Sequence, residues 1–498
     1  MKHIVARPHL AALAAALALA GCADMSGIAP QANMRDAQSV GLAAQASPAF
    51  APTAQWWREF GDEQLNGLVE RALQGNPTLK IAQARLARAQ ALSEVANAAR
   101  LPQVSGSFEA TRQRYSANGL YPPPLAGSRR DSGTLQLSAS WELDFFGKNQ
   151  AALDAALGAE RAAQADAQAA RVLLASNVAR GYFQLALIND QLAVARRTLA
   201  QREQALRLVR DRVEAGLDTN LELRQSEGAL PEARQQIEAL QEQATLAQHA
   251  LAALSGQGNQ SAVRTQPTLA AVKPMPAPAQ LPADLLAQRA DVAAARWRVE
   301  AAGYDVNNAK AQFYPNINLL AFAGFSSIGL GRLLNAGSEQ WGVGPAIRLP
   351  IFEGGRLRAN LRGKTADLDA AIESYNAAVL DAIHDAADQV ASMRSIARQQ
   401  TEQRDAQAAA EAAYDIVLQR YKAGLGTYLN VLTAETAVLN QRRLGVDLAG
   451  RALETQVALI RAFGGGYRDA GRVIAGSTRN PWIADQVRND KNTPRASR

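Results

Sequence analysis

Two stretches of the chain, 208 residues apart, are nearly the same. Residues 212–227 read RVEAGLDTNLELRQSE and residues 420–435 read RYKAGLGTYLNVLTAE. Arg, Ala-Gly-Leu, Thr, a further Leu and the final Glu stand in register. A turn written twice at that distance demands two halves of like architecture, and the hydrophobic periodicity supports them. A helical pattern from about Asp62 to Arg100 is interrupted at Gly75-Asn76-Pro77. The period then changes from 3.6 to 2. In VSGSFEA, Val104, Gly106, Phe108 and Ala110 alternate with Ser105, Ser107 and Glu109. In the second run Leu135, Leu137, Ala139, Trp141, Leu143 and Phe145 face one way, and Thr134, Gln136, Ser138, Ser140, Glu142 and Asp144 the other. Between the runs lies YSANGLYPPPLAGSRRD, a loop by its turn residues.

A long helix is expected from Lys148 to Ala215, with Leu185, Leu192, Leu199, Leu206 and Val213 repeating every seven residues and Ile188, Ala195 and Val209 on the adjoining row. Such a seam argues for a coiled coil. After the first AGL turn a second helix runs from Thr219 to Leu254. A Gly-, Pro- and Gln-rich linker covers 255–282, and the order then repeats. A helix over 284–312 leads to a strand with Ile317, Leu319, Ala321, Ala323 and Phe325 on one face. A second strand carries Trp341, Val343, Ile347, Leu349 and Ile351, although Pro345 and Pro350 count against it, since proline removes a ladder donor. A helix from Arg356 to Ala423, the second AGL turn, and a helix to Phe463 with Leu429, Leu432, Leu439, Val446, Leu453, Val457 and Ile460 at 3/4 spacing complete the half. Lys148 to Gly216 is 68 residues and Gly354 to Gly424 is 70. At about 1.5 Å per residue both turns lie at one level, about 100 Å from the strands. They are the tips of two equal hairpins, with Gly216 and Gly424 as left-handed helix stops.

The leader sets the compartment. MKHIVARPHLAALAAALALAGC has a basic start and an apolar run, Leu10 to Ala20, too short to span a bilayer as a helix and typical of a secretory signal. It ends in Leu19-Ala20-Gly21-Cys22, and Cys22 is the only cysteine, so no disulfide forms within one chain. The pattern resembles a bacterial lipobox. That resemblance implies removal of residues 1–21, acylation of Cys22 and, since Ala23 rather than Asp follows, placement in the outer membrane. No later run of eighteen apolar residues exists, but an exported chain can still cross a membrane as a β-barrel. The strand runs have the ~9–11 residues such a crossing needs, with the alternation of a lipid face and an aqueous face. Four strands cannot close around a lumen, so an oligomer must supply the rest.

The formal charge is +7, but basic and acidic residues are interspersed along the helices, which describes solvated faces rather than a nucleic-acid footprint. Enzyme chemistry finds little to work with. The mature chain has two histidines, His249 and His384, on separate helices; no Cys/His cluster could hold zinc, and no cofactor motif occurs. Gly363-Lys364-Thr365 lacks the first glycine of a phosphate loop, Arg358 standing there. Glu142 and Asp144 share a strand face and read as a polar wall.

Five motifs in order resemble the outer membrane factor family, the TolC- and OprM-like channels, and within it the NodT-type efflux lipoproteins. WWREFGDEQLNGLVERALQGNPTLKIAQAR (56–85) resembles its N-terminal signature, WELDFFGK (141–148) and LPIFEGGR (349–356) its strand-to-helix junctions, YPNI (314–317) its helix-to-strand entry, and the AGL turns its periplasmic tips. One departure is RAD (289–291), where the family has Arg-Pro-Asp. The resemblance implies a mainly α chain with a membrane β-barrel part: long coiled-coil hairpins and four transmembrane strands per protomer, joined in a trimeric α-barrel/β-barrel tunnel. Its expected parts are a lipidated tether (22–61), a first repeat (62–254, strand hairpin 103–145), an equatorial segment (255–282), a second repeat (283–465, strand hairpin 316–352) and a polar tail (466–498). The short helices would stack end to end, 62–100 on 219–254 and 284–312 on 427–463.

The implied function is that of the outer-membrane duct of a tripartite efflux system, expelling drugs or other toxic compounds. The tips Ala215, Gly216, Leu217, Ala423, Gly424 and Leu425 would meet a periplasmic adaptor (membrane fusion) protein serving an inner-membrane RND-type transporter. The fold also permits a protein-secretion channel, and a coiled-coil lipoprotein without a pore is a further alternative. For the gate, the family pairs a tyrosine just before the second tip with an acidic residue just after the first; the matching residues are Tyr421 and Glu222. The family also places acidic residues one helical turn apart beyond the second tip, where this chain has Asn430 and Thr433. Glu435, about 200° round the helix from Thr433, should not replace them.

Barrel and lipid are independent membrane signals. A Cys22→Ser chain exported by an ordinary signal peptide should therefore still form oligomers in the outer membrane, scored by membrane fractionation and unboiled gel mobility. Recovery as a soluble periplasmic protein would refute the barrel.

Overall fold

The computed structural model describes residues 25–35, 52–258, 266–273 and 288–468. Cys22 and the leader, most of the linker and residues 469–498 lie outside the described residues. The elements run α1 (Glu63–Gly75), α2 (Pro77–Ala98), β1 (Gln103–Arg114), β2 (Arg129–Leu143), α3 (Lys148–Glu214) and α4 (Asn220–Leu254), then α5 (Ala290–Ala311), β3 (Asn316–Ile328), β4 (Glu339–Arg348), α6 (Arg356–Lys422) and α7 (Tyr428–Ala462). The halves match in length: α2 and α5 have 22 residues, α3 and α6 have 67, α4 and α7 have 35. Among the described residues no helix is long and apolar enough to cross a membrane.

The four strands form one antiparallel sheet in the order β1-β2-β3-β4. Its register lines up the apolar residues of neighbouring strands, except that Glu339 of β4 stands opposite Phe325. Phe108 pairs with Leu135 and Leu135 with Phe325; Leu137 pairs with Ala323 and Ala323 with Trp341; Ala139 pairs with Ala321 and Ala321 with Val343. One face is therefore an exposed apolar band, on which Trp341 is 78% and Val104 71% accessible. The other carries Ser105, Ser107, Gln136, Ser138 and Gln340, with Gln340 Nε2 donating to Gln136 Oε1 at 3.2 Å. Phe322 is an exception on this polar side; it lies over Gly342, where a Cβ would come within 2.7 Å of its ring. Pro345 is accommodated because β4 is an edge strand of this sheet, where one row of N–H groups has no partner. Leu349 and Ile351, expected on the same strand face, lie beyond its end.

α3 is the axis of the helical part. α2 and α5 pack on it toward the sheet, α4 and α7 toward the tips, and α6 packs on α5 and α7. The seam residues Leu185, Ile188, Leu192, Leu206 and Val209 are buried as the heptad required. Each column of short helices is broken once, near mid-length, and a single side chain bridges each break. Asn76 accepts from Thr78 N at 2.8 Å, capping α2, and its Nδ2 donates to Leu254 O, the last carbonyl of α4, at 2.8 Å. Arg289 stands just before α5 and donates through Nη1 to Ala462 O, the last residue of α7, at 3.2 Å. It is held there by Asp291 at 2.7 Å and Asp385 of α6 at 3.4 Å. The two columns thus stack α4 on α2 and α7 on α5. Around the first break lies the largest core: Trp56, Trp57 and Phe60 pack with Tyr182, Phe183, Leu251 and Val457. Asp62 caps α1 and accepts from Tyr182 Oη at 2.6 Å. Burial, with the neighbouring Asp62 carboxylate, pushes the Tyr182 phenol far above its ordinary value.

Several expectations need correction. The helix expected from 284 begins at Ala290, because Arg289 is committed to the α7 terminus. Within the segment read as a tether, residues 25–35 run along α6 instead. Arg358 donates to Ser26 O, Gln31 N and Ala32 N donate to Asp369 Oδ1 at 2.9 and 3.0 Å, and Asn376 exchanges hydrogen bonds with Arg35 N and Asn33 O. Met25, Ile28 and Met34 cover the apolar cluster of Leu361, Leu368 and Ile372 beneath them. Within the linker, residues 266–273 are docked: Asp190 accepts from Leu269 N at 3.1 Å and Lys273 N donates to Phe60 O at 3.2 Å. At the tip end of α7 the core-facing residues are Tyr428, Val431, Glu435 and Val438, whereas Leu429, counted on the seam, is 63% exposed. A tyrosine and a glutamate occupy inward positions there, so the spacing of apolar residues alone does not define the inward face.

Gly464, just past α7, has φ +84° and lies so near the α5 start that a Cβ would fall 1.8 Å from Gln288 O. Gly464→Ala should destabilise the fold by roughly 2 kcal/mol or more, combining left-handed strain with a backbone clash. The check is the denaturation midpoint of the purified protein in detergent; an unchanged midpoint would contradict the packing.

Candidate gate at the helical tips

The two AGL turns are built alike. In the first, Leu217 N donates to Arg212 O at 2.8 Å and Gly216 N to Val213 O at 3.0 Å; in the second, Leu425 N donates to Arg420 O at 2.8 Å and Gly424 N to Tyr421 O at 3.1 Å. This is the Schellman closure, which satisfies the last carbonyls of a helix and needs a left-handed residue. Gly216 and Gly424 supply it, with φ +69° and +76°. Ala215, Gly216, Leu217, Ala423, Gly424 and Leu425 are all exposed. The next helix opens on a threonine in each half. Thr219 forms a full capping box with Glu222, whereas Thr427 makes no side-chain cap.

Between the tips lies a polar cluster that fastens one hairpin to the other. Tyr421, at the end of α6 and 1% exposed, donates its hydroxyl to Asp218 Oδ2 in the first turn. Arg212 grips the same carboxylate with two bonds, Nε to Oδ2 at 2.9 Å and Nη2 to Oδ1 at 3.3 Å. Its guanidinium lies 4.6 Å from the centre of the Tyr421 ring. Val209, Tyr428 and Val431 close the cluster beneath. Burial pushes the Asp218 carboxyl up, but hydrogen bonds from Arg212 and Tyr421 outweigh it and hold the group below its ordinary value. Burial first, then the bond to Asp218, raises the Tyr421 phenol well above its ordinary value.

The expected pairing of Tyr421 with Glu222 is therefore corrected. Glu222 accepts from Thr219 N at 2.9 Å and from the Thr219 hydroxyl, and stays on the surface as a helix cap. The partner is Asp218, four residues earlier, inside the turn itself. Comparing the two copies of the repeat could have found it. Asp218 stands where the second copy has Gly426, and Tyr421 stands where the first has Val213. Both members of the bond are thus places where the repeat departs from itself.

Asn430 and Thr433 lie exposed on α7 just past the second tip, and Thr433 bonds only back to Leu429 O at 2.9 Å. Glu435 is buried on the other side, 3.3 Å from Arg202 Nε of α3. Burial raises its pKa although Arg202 opposes the shift. Arg202 also reaches Glu232 at 3.1 Å and Ala229 O at 2.9 Å, and Arg442 of α7 bonds Glu411 at 2.8 Å. These pairs tie α7 to α3 and α6 above the turns. Among the described residues no group of His, Cys, Asp or Glu is placed to hold a metal ion.

A family model described as outer membrane efflux protein matches residues 68–257 and again 281–465, one match to each half. The fusaric acid resistance protein FusA of Burkholderia cepacia is 40% identical over 366 residues, 72% of this chain and 69% of that one. The putative multidrug resistance outer membrane protein MdtQ of Escherichia coli is 32% identical over 482 residues, 93% of this chain and 98% of the relative. The crystal structure of the outer membrane protein VceC from Vibrio cholerae has a TM-score of 0.80 and 36% identity, covering 84% of this chain and 100% of VceC. With matching sequence, matching fold and two equal halves, the chain belongs to the outer membrane efflux protein family and is an efflux channel of the outer membrane.

Proposed function

We propose that three copies of the chain close one continuous duct, in which twelve strands cross the outer membrane and the helices form a tunnel through the periplasm. The observation that carries this is the sheet. It presents an apolar band on one face and leaves β1 and β4 unpaired at its edges. In lipid every backbone N–H and C=O must be bonded, so the edges have to meet those of other copies. Cys22 would add a lipid anchor. The strap of residues 25–35 supports that placement, because it starts beside Arg358, at the sheet end of α6.

The exposed tips are proposed as the contact for a periplasmic adaptor, through which an RND-type transporter of the inner membrane delivers cargo. Leu217 and Leu425 are apolar and accessible there. The cargo is proposed to be small toxic organic compounds, in keeping with the names of the fusaric acid and multidrug resistance relatives. The duct moves them passively. Replacing Gly216 or Gly424 with Asp should abolish drug resistance in cells while leaving oligomer yield unchanged. Full resistance with both changes would overturn the tip assignment.

The Tyr421–Asp218–Arg212 cluster is proposed as the clasp that holds the hairpins together at rest. A hydrogen bond to a charged group is worth about 1.5–3 kcal/mol, so breaking one per protomer should shift the resting state. Tyr421→Phe with Asp218→Asn should raise single-channel conductance in planar bilayers; unchanged conductance would remove the clasp from the gate. The folded pKa of Asp218 is depressed, so its contribution is complete above the unfolded value of 3.8 and is lost as pH falls below that through the lower folded value. Resting conductance should accordingly stay low from neutral pH to about that value and rise only beneath it.

Asn430 and Thr433 carry no charge, so a ring of them would not concentrate cations. Divalent cations added on the tip side should block the unaltered channel little, and Asn430→Asp with Thr433→Asp should create block. Strong block of the unaltered channel would show that an acidic ring lies elsewhere.

A further inference from the structure

At its loop end the apolar face of the sheet terminates in arginines on β1 and β2, while β4 starts on that face with exposed Glu339, the partner of Phe325. Alternation along β1 carries the face from Val104, Gly106, Phe108 and Ala110 to Arg112 and Arg114. Along β2 it runs from Leu137 and Leu135 through Gly133 to Asp131 and Arg129. Arg112 has its Cα partner in Asp131, with a long ion pair of 3.6 Å. Arg114 and Arg129 are Cα partners of each other. Like charges directly opposite on neighbouring strands destabilise a sheet. Among the described residues neither has a carboxylate within ion-pair distance, and both are exposed. The turn between β3 and β4 folds over the same face, with Leu330 and Leu333 against Gly133, and carries exposed Arg332 beside them.

Three facts therefore coincide at one level. The apolar band ends, a cationic group begins on β1 and β2, and its outermost pair has no counter-ion within the protomer. Arginine forks bind phosphate oxygens with paired N–H donors, and an anion between Arg114 and Arg129 would convert their repulsion into attraction. The helices leave the sheet from its opposite end, so in the outer-membrane placement this end faces outward. We propose that Arg112, Arg114 and Arg129 form a clamp for the phosphate groups of an anionic glycolipid in the outer leaflet, whose acyl chains lie along the apolar band below. This rests on the outer-membrane channel reading, and channel conductance is measured in parallel so that failure of one is distinguishable from failure of the other.

The test is native mass spectrometry of the full oligomer in detergent, titrated with diphosphoryl lipid A, with the same lipid stripped of phosphate, and with inorganic phosphate alone. The expected result is saturable binding of the phosphorylated lipid. In Arg114→Gln with Arg129→Gln it should weaken about tenfold or more, the scale of one lost charge-assisted pair, with oligomer and conductance unchanged. Equal binding of the phosphate-free lipid would assign the affinity to the apolar band and overturn the clamp. Equally tight binding of inorganic phosphate would make it a general anion site and overturn it as well. Dissociation of the oligomer in the double variant would show that the arginines contact a neighbouring subunit instead, and full affinity in that variant would dismiss them outright.

Discussion

A long column of stacked helices can be broken only where the exposed N–H and C=O groups at the break find partners, and both columns here depend on one side chain each for part of that. Asn76 bonds the start of α2 and the end of α4; Arg289 stands at the start of α5 and bonds the end of α7. Interior carbonyls and amides left without partners are costly. The two junctions use different chemistry for the same task. Asn76 is neutral and acts by its amide alone, whereas Arg289 is nearly buried and needs Asp291 and Asp385 to balance its charge. Close packing surrounds both junctions, with the apolar cluster of Trp56, Phe60 and Phe183 at one and the tight Gly464 turn at the other.

Above and below these breaks the two halves do different work with similar parts. Both tips close by the same backbone bonds, but only the first turn holds a carboxylate and only the second helix end holds the tyrosine that meets it. The duplication builds the frame, and the departures from duplication build the contact between hairpins. The sheet shows the same economy: both strand pairs contribute to one apolar face, while the outward arginines belong to β1 and β2, with Arg332 added by the turn after β3.

Much of the fold was legible because it is periodic. The 3.6 and 2 periods located seven helices and four strands, and the AGL turns set the hairpin lengths. The site was legible only in part. The resemblance points to Tyr421 before the second tip, but it puts the partner on the helix at Glu222, where a capping box with Thr219 already uses the carboxylate. Asp218 sits in a turn, where spacing along a helix says nothing about which way a side chain points. Leu429 is apolar and its spacing predicts core, but Tyr428 and Glu435 hold the inward positions because the α3–α7 contact accepts a tyrosine and an arginine-paired glutamate.

By itself the sequence determined the repeat, the equal hairpins, the two-faced strands and the glycine stops, since each follows from local spacing and local backbone geometry. Tertiary structure alone decided that residues 25–35 lie along α6, that residues 266–273 dock on α3 through Asp190, that Asp218 receives Tyr421, and that Arg114 and Arg129 are paired across β1 and β2 without a counter-ion within the protomer. Those pairings join residues up to several hundred positions apart. Their partners are chosen by the register of strands and the rotation of helices about their axes, which local spacing does not set; in the sheet a shift of one residue would turn every side chain to the other face.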